Sequence, residues 1–152
     1  GRSRRPPKDR FNAALSFGYG LLYRALLETV IRVGLEPSFG FYHQPRSSAH
    51  PLVLDLMELF RLPVVEVPLL AAVNRRTFQP EEDFVPTTGG IWMSEAGQRK
   101  MITLFERRLT ESYKHPVLNY SLSFRRAFEL ETRLLEKEWS GSPNLFASLR
   151  IR

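Results

Sequence analysis

The sequence predicts a mainly α fold, a helical bundle of about five helices with one small β-hairpin. Three observations carry this. A long apolar-periodic run opens the chain after Pro6-Pro7. Further runs of helical period follow, each bounded by Pro, Gly or Ser. Only Phe84–Met93 breaks the pattern, as two short β-prone pieces around Thr87-Thr88-Gly89-Gly90. At 152 residues the chain can build one domain with a real core. Its 43% apolar and 25% charged content is that of a globular protein. No apolar run approaches the ~18 residues of a membrane span, and no apolar h-region follows the basic start. Cysteine is absent, which excludes disulfides, thiol catalysis, zinc-thiolate sites and iron–sulfur ligation within these residues and fits a reducing compartment.

Pro6-Pro7 forces an extended entry, and Asp9 is placed to cap the first helix. Phe11, Leu15, Gly18, Leu22, Leu26, Thr29 and Val33 then share one helical face, and Gly34 is a natural stop. A helix of this length spans roughly 36 Å. Gly18 and Gly20 weaken it, and close helix–helix packing is the simplest reason for them. Leu35–Ala49 reads as a loop, packed down by Phe39, Phe41 and Tyr42. Pro51 opens a short helix with Leu52, Leu56, Leu59 and Phe60 inward. Pro63 interrupts it, and VVEVPLLAAVNRR forms another helix that can bend at Pro68. QPEED is a turn before the hairpin. Ser94 caps a helix with Met101, Leu104, Phe105 and Leu109 inward. The last helix, SLSFRRAFELETRLLEKEW, buries Phe124, Phe128, Leu130 or Glu131, Leu134 and Leu135, and Gly141 stops it.

The net charge of +6 is concentrated at the ends. Arg2, Arg4, Arg5, Lys8 and Arg10 stand against Asp9, while Arg150 and Arg152 close the tail and the body is balanced. Such a basic arm meets phosphate, solubilises an end, or lies against another part of a larger protein. Chemistry is concentrated in Gly40–Arg61, GFYHQPRSSAHPLVLDLMELFR. His43 and His50 lie in its loop. Asp55 and Glu58, three residues apart, lie on one helical face. His43, Asp55 and Glu58 suit Mg²⁺ or Mn²⁺ rather than a closed zinc site. By spacing alone the simpler reading is solvated carboxylates beside an ordinary loop histidine. Arg46 and Arg61 flank the set as phosphate-binding cations or as plain loop and helix ends. His115, before Pro116, reads as an exposed loop histidine. No phosphate-cradling glycine loop, nucleophile elbow or HExxH is present.

The run FNAALSFGYGLLYRALLETVIRVGLEPSFGFYHQPRSSAHPLVLDLMELFRLPVV resembles the core of the CRISPR-associated integrase of spacer acquisition. A Tyr-containing long helix, GL-x-P, GF-x-H, and D-L-M-E followed by F-R agree in order and spacing. Asp83-Phe84, WMSEAG and ELETRLLEKE extend the resemblance over nearly the whole chain. It implies the C-terminal helical catalytic domain over 1–152, with the basic extended arm at 1–9, and without the family's N-terminal β-rich domain. It also implies function: metal-dependent integration of pre-spacer DNA into the CRISPR array by 3′-hydroxyl transesterification, in antiviral defence. Residue by residue, His43 falls on the metal-binding histidine and Glu58 on the metal-binding acid. Asp55 falls on a supporting acid and Tyr23 on an aromatic near the active centre. Arg46 and Arg61 fall on basic positions near the DNA path, to which Arg4, Arg5 and Lys8 of the arm add charge.

The family's third ligand, a glutamate in an E-G-x-A-A-R context, belongs to a helix upstream of Gly1, and Glu28 does not replace it. These residues alone are therefore expected to bind metal weakly and not to integrate. Expected partners are pre-spacer and repeat DNA, the small ferredoxin-like second adaptation protein, and a second copy through the N-terminal domain. No membrane is involved, and the setting is the prokaryotic cytoplasm. ELETRLLEKEWSG further resembles members fused to a RecB-like iron–sulfur nuclease. Two other readings stay open: a non-catalytic helical DNA-binding or assembly domain of the same fold, and a generic helical module whose arm binds acidic partners.

Overall fold

The computed structural model describes residues 9–34 and 51–140. Along the chain come α1 (Arg10–Val33), α2 (Pro51–Phe60), a π-helical segment (Arg61–Glu66), α3 (Val67–Asn74) and the single turn α4 (Pro80–Asp83). Strands β1 (Phe84–Thr87) and β2 (Gly90–Met93) follow, then α5 (Glu95–Thr110), β3 (Ser112–Lys114), β4 (Ser121–Ser123) and α6 (Phe124–Ser140). The protein is mainly α, with five helices longer than one turn among the described residues. Among the described residues there are two antiparallel strand pairs where the sequence predicted one.

Helix α1 begins and ends where local chemistry dictates. Asp9 Oδ1 accepts the Asn12 amide at 2.8 Å, satisfying an N-terminal donor the helix cannot. At the other end Gly34 takes φ +97°, open to a residue without Cβ. Phe11 is 40% exposed, against expectation, whereas Ala13, Ala14 and Tyr19 are buried.

The chain forms two compact units, Gly1–Leu22 with Arg61–Arg108 and Tyr23–Phe60 with Leu109–Arg152. In the first unit, Val64, Val65, Leu69, Met101, Leu104 and Phe105 are buried. A Cβ at Gly18 would stand 2.7 Å from Val65 Cγ1 and 2.8 Å from Met101 Cε, so the glycine exists for packing, as its sequence position implied. Pro63 does not end the helix. Its ring clashes with an i−4 carbonyl and it has no N–H to give. The chain widens to π-helical winding over Arg61–Glu66 and continues into α3, which carries Pro68 in its first turn. The Pro63 carbonyl accepts Arg108 Nε–H at 2.8 Å.

The hairpin lies in the same unit, with Phe84 opposite Met93 and Thr87 opposite Gly90, turning at Gly89 with φ +87°. QPEED is not a plain turn: Pro80–Asp83 make one helical turn, whose start is tied by the Gln79 amide to Asp83 Oδ2 at 2.6 Å. Asp83 is fully buried. Its Oδ2 also receives Lys100 Nζ at 2.8 Å, and its carbonyl accepts the Ser94 amide at 2.9 Å. Ser94 Oγ caps α5 through the Gly97 amide at 3.1 Å. The Asp83-Phe84 and Ser94–Gly97 motifs thus form one knot joining the hairpin to α5.

In the second unit Leu52, Val53, Leu56 and Phe60 of α2 are buried, and Phe60 meets Phe128 of α6 edge-on at 4.7 Å. The stretch Ser121–Ser123 is a strand rather than the start of the last helix. It pairs with Ser112–Lys114, and Ser123 Oγ then caps α6 through the Arg126 amide at 3.1 Å. Phe124, Ala127, Phe128, Glu131, Thr132 and Leu135 form the buried face of α6. The predicted loop 35–49, the arm 1–8 and the Gly141 stop lie outside the described residues.

Candidate functional site

Helix α2 carries the two described carboxylates of the candidate site. At 3.6 residues per turn, Asp55 and Glu58 lie about 60° apart around its axis, away from the buried Leu52, Leu56 and Phe60. Asp55 is half-buried and Glu58 exposed. Both are oxygen donors of the kind hard divalent cations take. They fit such an ion as part of a ligand set and do not complete one. Among the described residues no group of three His, Cys, Asp or Glu is gathered. His43, the imidazole of the set, lies outside the described residues, as do Arg46, Arg4, Arg5 and Lys8. Tyr23 belongs to the same unit as α2 and is half-buried on α1. Arg61 opens the π-helical segment of the other unit and is exposed.

Two features escaped the sequence reading. The first is a basic hollow of about 330 Å³ in the first unit, lined by Arg75, Arg99, Lys100 and Arg107 with the Thr77 and Thr103 side chains. Arg99, Thr103 and Arg107 recur every four residues, so α5 presents them in one row. Arg99 pairs with Glu95 at 2.6 Å, yet both side chains are largely exposed and such a pair is weak. Lys100 is committed to Asp83 and to the Thr77 carbonyl at 3.1 Å. The row was visible as i, i+4, i+8 spacing on the polar face of a helix otherwise read for its apolar stripe.

The second is His115, which is 1% exposed rather than the loop histidine expected. Its Nδ1 accepts the Val117 and Leu118 amides, each at 3.1 Å. The ring proton therefore sits on Nε2, which donates to Glu131 Oε1 at 3.1 Å. Glu131 Oε2 is buried without a hydrogen-bond partner among the described residues. Burial raises the Glu131 carboxyl above its ordinary range, with the His115 hydrogen bond opposing. Burial, and then the Glu131 charge, push the Tyr113 hydroxyl up to about 12. Tyr113 stacks on Phe124 at 4.6 Å. This cluster braces the β3–β4 hairpin.

Comparison with known proteins places these features in a family. The family model for the CRISPR associated protein Cas1 matches residues 1–107. The chain belongs to the Cas1 family. It is 58% identical over its whole length to a CRISPR-associated exonuclease Cas4/endonuclease Cas1 fusion of Leptospira interrogans, of which it spans 28%. A Cas1 protein from Thermotoga maritima superposes with a TM-score of 0.81 at 32% identity, over 93% of this chain and 43% of that one. A Cas6-RT-Cas1–Cas2 complex contains a chain matching at a TM-score of 0.75 and 25% identity, over 96% of this chain and 16% of its own. This Cas1-family chain thus spans less than half of each. It corresponds to the helical C-terminal portion of the family.

Proposed function

We propose that this chain is the helical catalytic portion of a metal-dependent DNA integrase of CRISPR adaptation. The observation that carries the reading is the α2 carboxylate pair, Asp55 and Glu58, on a fold that superposes on a Cas1 protein at a TM-score of 0.81. Glu58 and His43 hold a divalent cation, Mg²⁺ or Mn²⁺, with Asp55 supporting them, and a third carboxylate comes from outside these 152 residues. Such an ion, when bound, polarises a phosphodiester for attack by a DNA 3′-hydroxyl. Tyr23 stands on the α1 stretch of the same unit. Arg46 and Arg61, with Arg4, Arg5 and Lys8 of the arm, hold the phosphate backbone, and the α5 row of Arg99 and Arg107 adds further cations.

Pre-spacer and repeat DNA are the substrates under this reading, and a small second adaptation protein of the Cas2 kind is the companion. A second copy joins through a β-rich N-terminal domain outside these residues. A complete protein carrying this chain, supplied with that companion and Mn²⁺, is expected to join a labelled pre-spacer to a repeat. His43→Ala or Glu58→Ala should lower joining at least about 100-fold, the scale of losing a metal-ion contribution of several kcal/mol. The 152-residue chain alone should not join. Full joining by either variant would instead leave the chain a non-catalytic DNA-binding and assembly module.

A further inference from the structure

The β3–β4 hairpin and the start of α6 enclose a second open hollow, of about 420 Å³, that the integrase chemistry does not use. It lies wholly within the second unit. Tyr120 stands at its rim with 53% of its surface exposed and no ring partner among the described residues. Leu122 and Leu130 supply the apolar lining. Arg126 and Arg133 line it as well, seven residues apart on α6, hence about 10 Å along the axis. Arg126 is exposed, with no side-chain partner among the described residues. Glu129 also lines the hollow, and Arg133 reaches its carboxylate at 3.4 Å, with both side chains about half exposed. Such a contact yields readily to a competing anion.

The backbone that carries the tyrosine is held in place before any ligand arrives. The His115 amide donates to the Tyr120 carbonyl and the Asn119 amide to the His115 carbonyl, each at 2.9 Å. Asn119 takes φ +60°, a tight reversal that asparagine tolerates. The buried His115 ring ties down the two intervening amides and leans on Glu131. A turn whose backbone is already fixed avoids the cost of ordering that backbone on binding.

We infer that this hollow binds a single-stranded nucleic-acid segment, with one base on the Tyr120 ring and its flanking phosphates on Arg126 and Arg133. An aromatic platform with neighbouring cations is the pattern by which unpaired strands are held irrespective of sequence. A duplex buries its base faces in its own stack and offers the ring nothing, so the site selects unpaired nucleotides. The inference rests on the chain being a nucleic-acid-handling protein. It adds a strand-selecting contact on a unit whose other candidate residues serve the metal.

The test compares a labelled oligothymidine strand with a blunt duplex by fluorescence anisotropy, using the 152-residue chain. Tyr120→Ala should weaken single-strand binding about tenfold, Tyr120→Phe should leave it near the wild-type value, and neither should alter duplex binding. Arg126→Ala should lower the slope of log affinity against log salt by about 0.7 for the single strand. A strand bearing a photoreactive iodouracil should crosslink at Tyr120. Wild-type affinity in Tyr120→Ala, or an equal loss for strand and duplex, would overturn the inference while leaving the integrase reading standing. No binding of either nucleic acid by the wild-type chain would overturn the inference, while the integrase reading, tested by joining with the complete protein, would stand. Thermal melting of each variant separates lost binding from lost folding.

Discussion

His115 and Glu131 are sixteen residues apart and share one hydrogen bond in the interior. Nδ1 accepts two amides, so the ring presents its Nε2–H to Glu131 as a hydrogen-bond donor. Its carboxyl is raised by burial. A raised carboxyl contributes stability in its protonated form, complete below the ordinary carboxylate range and lost as pH rises through the raised value. Glu131→Gln keeps the acceptor for His115 and removes the ionisation. Urea denaturation should therefore show the variant gaining on the wild type between about pH 4 and pH 8. An unchanged difference across that range would refute the buried-charge account. Glu131→Ala should cost about 2 kcal/mol or more at either pH, because His115 Nε2–H is then buried without a partner. Nothing beside His115 in the chain announces this. The local signal, His before Pro, is that of an exposed loop, and only the strand pair that carries the ring under α6 makes it a brace.

Among the elements, helix α5 shows what local pattern does and does not reveal. Its cap at Ser94 and its inward Met101, Leu104, Phe105 and Leu109 follow from residue type and period, and all four are buried. Gly97, in its first turn, is explained only by a neighbour. A Cβ there would lie 2.2 Å from the Asp83 carbonyl oxygen, a backbone atom with no freedom to withdraw. Gly20, in the middle of α1, has nothing within 4 Å of the same construction. Both are glycines in helices, and the sequence cannot tell them apart. Gly97→Ala should cost about 2–3 kcal/mol or more by forcing the hairpin knot apart. Gly20→Ala should add about 0.5–1 kcal/mol by lowering the entropy of the unfolded chain. Parallel thermal melts decide the matter, and a Gly97→Ala protein as stable as the wild type would show the knot to be loose. Pro63 carries the same lesson. Proline predicts a break, but the chain has a second solution, wider winding, which only the packing of Val64 and Val65 makes worthwhile.

For the whole molecule, ligand linkage gives the clearest test of the candidate metal residues. An ion bound by the folded chain alone raises its melting temperature by mass action, about 1.4 kcal/mol at ten times the dissociation constant. With an incomplete ligand set, Mn²⁺ should raise the melting temperature only at millimolar concentration, and Glu58→Ala should abolish the rise. A rise that persists in Glu58→Ala would place the ion elsewhere. By itself the sequence determined the helical class, the start and stop of α1, the Phe84–Met93 hairpin and the nomination of His43, Asp55 and Glu58. These rest on period, capping chemistry and motif order, which are properties of neighbours along the chain. Tertiary structure alone decided the second strand pair, the π-helical passage through Pro63, the buried His115–Glu131 brace and the two hollows lined by arginines. Ser112–Lys114 and Ser121–Ser123 are too short and too polar to read as strands until each supplies the other's hydrogen bonds. A hollow forms only when residues far apart in the chain, such as Arg75 and Arg107 or Tyr120 and Arg133, arrive beside one another.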